Sequence, residues 1–266
     1  MLRDITIGQY YKTESVVHRL DPRVKLFGTL VFLVTLFMSG NVWGYILAAA
    51  FLMISIKLSN VPFKFICRGL KSIVVIILFS VSFTLLFTKG DNVLAKFWIF
   101  TISVEGIIKS VEIAVRLILM IMGSSLLTLT TTPNDIADGL EKAFGFLKVI
   151  KVPVHEIAMM VSIAFRFIPI LIEETDKIMK AQSARGANFD EGGLMEKAKS
   201  MVPIIVPLLV SSIRRALDLA TAMEARCYRG GVGRTKMKPL KYHKGDYLTY
   251  GIYFVYLALA IVVKMI

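Results

Sequence analysis

The chain has 266 residues, of which 56% are hydrophobic and 19% charged, with a formal net charge of +13 and a mean hydropathy of +0.68. A water-soluble domain of this size carries more charge, and a β-barrel shows short alternating segments instead of solid apolar blocks, so the composition points to an integral α-helical membrane protein. The basic excess does not indicate nucleic-acid binding: it gathers between apolar runs, as the positive-inside rule requires, and is not interleaved with aromatics on a polar surface.

The first 25 residues are polar and basic, with Arg3, Lys12, Arg19, Arg23 and Lys25, and contain no apolar stretch ending in a cleavage site. A cytoplasmic N-terminal segment without a cleavable signal peptide is therefore expected. Asp21 is placed to cap the first membrane helix, Pro22 to begin it, and Arg23 and Lys25 to anchor it at the inner headgroups. Residues 26–38 and 45–56 are predicted as two spans joined by the charge-free turn SGNVWG. The loop KLSNVPFKFICRGLK carries Lys57, Lys64, Arg68 and Lys71 and no acid, which places it inside. A third span is predicted at 72–88, followed by a mixed-charge outer loop in which Trp98 suits the interface. A fourth covers about 107–131 and holds Lys109, Glu112 and Arg116 on one helical face. That cluster reads as a structural feature, with Arg116 snorkelling or pairing with Glu112, or alternatively as part of a substrate path.

Residues 132–230 differ in character, being rich in charge of both signs. Thr132 as N-cap, Pro133 and Asp135 predict a helix start, and KVPVHEI predicts another. From Val154 to Met179 apolar residues recur at helical spacing, with Arg166, Glu173 and Lys177 mainly on other faces. A third helix is predicted from about Leu194 to Cys227, bent near Pro203 and Pro207. The stretch 154–172 contains His155, Glu156 and Arg166, and 201–213 is short and holds two prolines, so cytosolic or interfacial helices are favoured over spans. Each long helix ends in Ala-Arg-small: Ala184-Arg185-Gly186 and Ala225-Arg226-Cys227. Two spans here would send these matching motifs to opposite compartments. Residues 231–266 then give a basic linker and a final span at 246–264, with the C-terminus outside. About five spans result.

No phosphate-binding loop, G-x-S-x-G or H-E-x-x-H motif is present, and no His/Cys/acid cluster has metal-ligand spacing. Cys67 and Cys227 suggest neither a disulfide nor a metal site. No catalytic residue, cofactor or metal is expected of this chain.

Leu20-Asp21-Pro22-Arg23-Val24-Lys25-Leu26, Thr131-Thr132-Pro133-Asn134-Asp135-Ile136 and the two Ala-Arg-small motifs occur in an order that resembles the transmembrane (T) component of energy-coupling factor transporters, the EcfT/CbiQ-like family. The resemblance extends over essentially the whole chain. It implies a non-catalytic scaffold in the cell membrane, in a complex with two cytosolic ABC-type ATPase subunits and a small substrate-binding integral membrane subunit for a vitamin or metal ion. It also implies that Arg185 and Arg226, with Ala184, Gly186, Ala225 and Cys227 beside them, dock on the two ATPases. Cys227 stands where the family commonly has glycine. A self-contained permease is the alternative.

Overall fold

A computed structural model describes residues 10–88, 92–97, 100–146, 153–187, 189, 193–230 and 240–265. Arg3, Trp98 and the basic stretch 231–239, to which the sequence assigned roles, lie outside the described residues. The chain divides into two compact units, one formed by residues 8–139 with 240–266 and the other chiefly by 140–239.

The first unit contains α1 (Val16–Arg19), α2 (Pro22–Met38), α3 (Val42–Ser59), α4 (Phe63–Phe87), a hairpin of β1 (Val93–Phe97) and β2 (Phe100–Ser103), α5 (Val104–Thr130), the start of α6 (Pro133–Ala143), and α9 (Lys244–Met265). Phe32, Leu36, Leu52, Leu126 and Tyr256 belong to its buried core. Helix association within a membrane relies on close packing because lipid is as apolar as leucine, and small residues permit it. A Cβ added at Gly28 would stand 2.2 Å from the Tyr253 ring of α9, and one at Gly123 of α5 would stand 2.5 Å from Phe32. Thr35 and Tyr256 share a buried hydrogen bond of 2.8 Å between α2 and α9.

Two carboxylates organise the helix starts. Asp21 is the N-cap of α2 and accepts from Arg23 N–H, while Pro22 occupies the first turn, where a missing N–H costs nothing. The Asp21 N–H donates to Asp246 Oδ1 at 2.9 Å, and His243 N–H donates to Asp246 Oδ2 at 2.7 Å. Asp246 is 1% exposed, so one buried carboxylate serves the starts of both α9 and α2. Burial raises the Asp21 carboxyl pKa, but its bonds to Arg23 outweigh that and hold it below the ordinary carboxylate value.

Several expectations change. Arg23 does not reach for headgroups: it forks onto Asp21 at 2.8 and 3.0 Å and lies 3.9 Å from the Tyr242 ring centroid. Lys25 is no anchor either. It is 7% exposed, and its Nζ donates to His18 O and Thr130 O, both at 3.0 Å, because α1 and the end of α5 close over it. The presumed cytoplasmic loop is largely helical, since α4 begins at Phe63 and bends by 60° between Lys71 and Ile73. The expected outer loop contains the antiparallel hairpin, a short exception in an otherwise all-α protein. Arg116 neither snorkels nor pairs with Glu112; it donates to Tyr45 Oη at 2.7 Å and to Ser39 O at 3.2 Å, and so shares with the Tyr45 hydroxyl the closing of the C-terminal end of α2.

The second unit contains α7 (Val154–Ala184) and α8 (Leu194–Ala225). Pro169, Pro203 and Pro207 lie inside these helices, and α8 has nearly the bounds expected from the sequence, Leu194 to Cys227. Among the described residues five helices are long and apolar enough to cross a membrane: α3, α5, α7, α8 from Lys199 to Ala225, and α9. Bent α4 makes a sixth if taken as one span, and α2 has 17 residues. The protein is thus an all-α polytopic membrane protein, although α7 and α8 meet a length and composition test that the sequence reading had denied them.

Replacing Asp246 by alanine leaves two backbone N–H groups without their acceptor. It should lower stability by about 1–3 kcal/mol, seen as a lower melting temperature in detergent; an unchanged melting temperature would remove this carboxylate from its organising role.

Candidate functional site

The two Ala-Arg-small motifs adopt one backbone structure. At the end of α7, Arg185 is the C-cap, Gly186 has φ +91°, Gly186 N–H donates to Ser183 O at 3.0 Å, and Ala187 N–H donates to Gln182 O at 3.0 Å. At the end of α8, Arg226 is the C-cap, Cys227 has φ +57°, Cys227 N–H donates to Glu224 O at 2.8 Å, and Tyr228 N–H donates to Met223 O at 3.0 Å. Both are Schellman motifs, in which a left-handed residue turns the chain back to satisfy the last helix carbonyls. The small third residue therefore has a local cause: it must accept positive φ. Glycine does so freely, whereas an L-residue pays about 1–2 kcal/mol.

The consequence for arginine is positional. With the terminal carbonyls already accepting backbone N–H groups, neither guanidinium is needed to cap its own helix. Both arginines and their alanine neighbours are exposed. Among the described residues a Cβ placed on Gly186 would meet nothing within 4 Å, so this turn has open space beside it.

Contacts between the two helices show that they run antiparallel. Gln182 Nε2 donates to Pro203 O at 3.4 Å, Glu174 pairs with Arg215 at 2.9 Å, and Ile163 shares a cavity lining with Leu219 and Met223. The motifs thus occupy opposite ends of one helix pair, separated by some two dozen residues of helix, or roughly 35 Å at the α-helical rise. They also differ in surroundings. Arg226 borders a cleft of about 580 Å³ to which α7 contributes Met159 and Arg166, and the turn after α8 contributes Tyr228 and Arg229. The sequence reading had placed Arg166 merely on another helix face and had not used Arg229; no linear spacing links these residues to Arg226, because the antiparallel pairing brings them together.

Asp21, Pro22 and Arg23 form the α2 start described above and are not part of this helix pair. Lys109, Glu112 and Arg116 all lie on α5, and Arg116 is committed to Ser39 and Tyr45. Among the described residues no group of three or more His, Cys, Asp or Glu side chains could hold a metal ion. His155 Nδ1 contacts Glu141 at 2.9 Å, a pairing in the second unit not foreseen from sequence.

Because Cys227 is strained where Gly186 is not, Cys227→Gly should stabilise the end of α8 by about 1 kcal/mol, and Gly186→Ala should destabilise the end of α7 by a similar amount. Amide hydrogen exchange at Tyr228 and Ala187 checks both, slowing in the first variant and quickening in the second.

Comparison with known proteins agrees with the motif order. A family model described as "Cobalt transport protein" (CbiQ) matches residues 13–238. The "Energy-coupling factor transporter transmembrane protein EcfT" of Ruminiclostridium cellulolyticum is 47% identical over 266 residues, covering 100% of this chain and 99% of the relative. The protein of the same description from Clostridium kluyveri is 50% identical over 249 residues, 93% of this chain and 92% of the relative. That from Bacillus subtilis is 45% identical over 240 residues, 90% of this chain and 91% of the relative. The chain belongs to the EcfT/CbiQ family, the transmembrane components of energy-coupling factor transporters.

Proposed function

We propose that this chain is a non-catalytic scaffold that couples ATP hydrolysis by two cytosolic ABC-type ATPase subunits to movement of a small substrate-binding integral membrane subunit, for uptake of a vitamin or transition-metal ion. The observation that carries this reading is the pair of matching arginine-bearing caps at opposite ends of α7 and α8. Two identical local structures suit two related partners, and roughly 35 Å of helix leaves room for both. Arginine fits the task because its charge is permanent and its rigid fork of donors can bridge carboxylates and carbonyls in a partner groove.

In this reading residues 132–230 form a coupling region at the cytoplasmic face, residues 1–131 supply the N-terminal segment and the first four spans, and 231–266 a basic linker and the last span. An antiparallel pair that crossed the bilayer would present its two caps on opposite sides, whereas a pair lying along the membrane surface presents both to the cytosol. The apolar surface that satisfies a span test serves a surface helix equally well. In the most apolar 18-residue stretch of α7 no residue is buried within the chain, and in that of α8 only 6% are. Lipid and the substrate-binding subunit cover these faces.

The sequence of events follows. ATP binding closes the two ATPases and moves the grooves that hold Arg185 and Arg226. The caps are stiff, so the motion passes into α7 and α8, and the apolar faces of these helices reorient the substrate-binding subunit. The self-contained permease gains no support from Arg116, whose guanidinium is taken up by Ser39 and Tyr45.

Two outcomes test this. Gentle extraction of the tagged chain should bring down ATPases bearing phosphate-binding loops with the wild type and lose them with the Arg185→Glu/Arg226→Glu double variant. Normal ATP-dependent uptake by that variant would sink the scaffold. For topology, an impermeant thiol reagent should leave both Cys67 and Cys227 unmodified in intact cells but modify exposed Cys227 in inside-out vesicles; labelling of either cysteine from outside reverses the assignment.

A further inference from the structure

The cleft beside Arg226 has properties that its cap alone does not explain. Three arginines are among the residues that line it: Arg166 from the first half of α7, Arg226 at the end of α8, and Arg229 from the turn that follows. Among the described residues no carboxylate lies within ion-pair distance of any of them, although elsewhere in the same unit Arg215 finds Glu174 and His155 finds Glu141. Among the described residues their side chains donate no hydrogen bond to the backbone either. Like charges gathered in a concave space with partly apolar walls, here including Met159 and Met223, focus a positive field and favour an anionic guest. A space of about 580 Å³ takes several side chains and exceeds what one isolated carboxylate needs.

We propose that Arg166 and Arg229 are docking residues which, with Arg226, receive an acidic segment of one ATPase subunit bearing at least two carboxylates. The inference rests on the coupling reading above and deepens it. One end of the helix pair presents a single projecting arginine, Arg185, while the other is a receptacle built from both helices. An acidic segment seated there grips α7 and α8 together, so the motion of that ATPase enters the first half of α7 as well as the end of α8. Arginine fits this use better than lysine because it can bind a carboxylate through two parallel hydrogen bonds.

The test uses the complete transporter, co-expressed with its ATPases and reconstituted into nanodiscs of neutral phosphatidylcholine or of phosphatidylcholine with phosphatidylglycerol. Arg166→Glu and Arg229→Glu should each lower ATPase retention about tenfold or more in both lipids, as the loss of a central arginine contact does. Arg166→Ala, which introduces no repulsive acid, should release an ATPase at a lower sodium chloride concentration than wild type, and Arg166→Lys should fall between the two. Wild-type retention and salt dependence in Arg166→Ala, with Arg226→Glu losing an ATPase, overturn the cleft proposal and leave the coupling reading standing. Wild-type retention in Arg185→Glu/Arg226→Glu overturns the coupling reading itself. Losses confined to the phosphatidylglycerol discs assign the cleft to lipid headgroups and overturn the proposal.

Discussion

In an apolar surrounding, a helix terminus leaves N–H and C=O groups that water does not reach, and the way this chain satisfies them decides where its helices start, stop and what they present. At the starts of α2 and α9 the answer is a carboxylate: Asp246 takes the N–H groups of both Asp21 and His243. At the start of α6 it is the reciprocal pair Thr132 and Asp135. At the C-terminal end of α2 it is a cation, Arg116, on Ser39 O. At the ends of α7 and α8 the backbone closes on itself through a left-handed residue. Only this last solution leaves a charged side chain at the helix end with no structural task.

That difference separates two uses of positive charge. In the unit holding α2, α3, α5 and α9, Arg23, Lys25 and Arg116 are spent on Asp21, on carbonyls and on Tyr45. They secure the packing of helices that approach closely at Gly28 and Gly123. In the unit holding α7 and α8, Arg185, Arg226 and Arg229 sit on exposed turns, and the helices between them offer long apolar faces that the chain itself does not cover. The first pattern holds helices together; the second leaves charge and apolar surface exposed.

The proposed coupling asks the two ends of the helix pair to pass on motion. A Schellman turn with filled carbonyls transmits displacement better than a frayed end, because the arginine backbone is held by hydrogen bonds on both sides of its Cα. Cys227 introduces a small asymmetry, since it carries strain that Gly186 does not. The cleft adds a larger one, because Arg226 shares its lining with arginines of α7 and of the following turn, and among the described residues no such cleft includes Arg185.

The sequence by itself determined the class of the protein and most of its helices. Apolar runs too long and uncharged for a soluble domain require a membrane, and Asp21-Pro22 and Thr132-Pro133-x-Asp135 mark helix starts through interactions within a few residues. The repeated Ala-Arg-small motif was visible too, because its cause is local: a left-handed turn selects a small residue. Tertiary structure alone decided what the charges do. That Lys25 is buried under Thr130 O and that Arg116 helps to close α2 instead of meeting Glu112 depend on partners tens of residues away. The antiparallel pairing of α7 with α8 was equally out of reach, and with it the opposed placement of the two caps and the meeting of Arg166 with Arg226 and Arg229. Periodicity says which face of a helix is apolar; it does not say which residue of another helix arrives beside it.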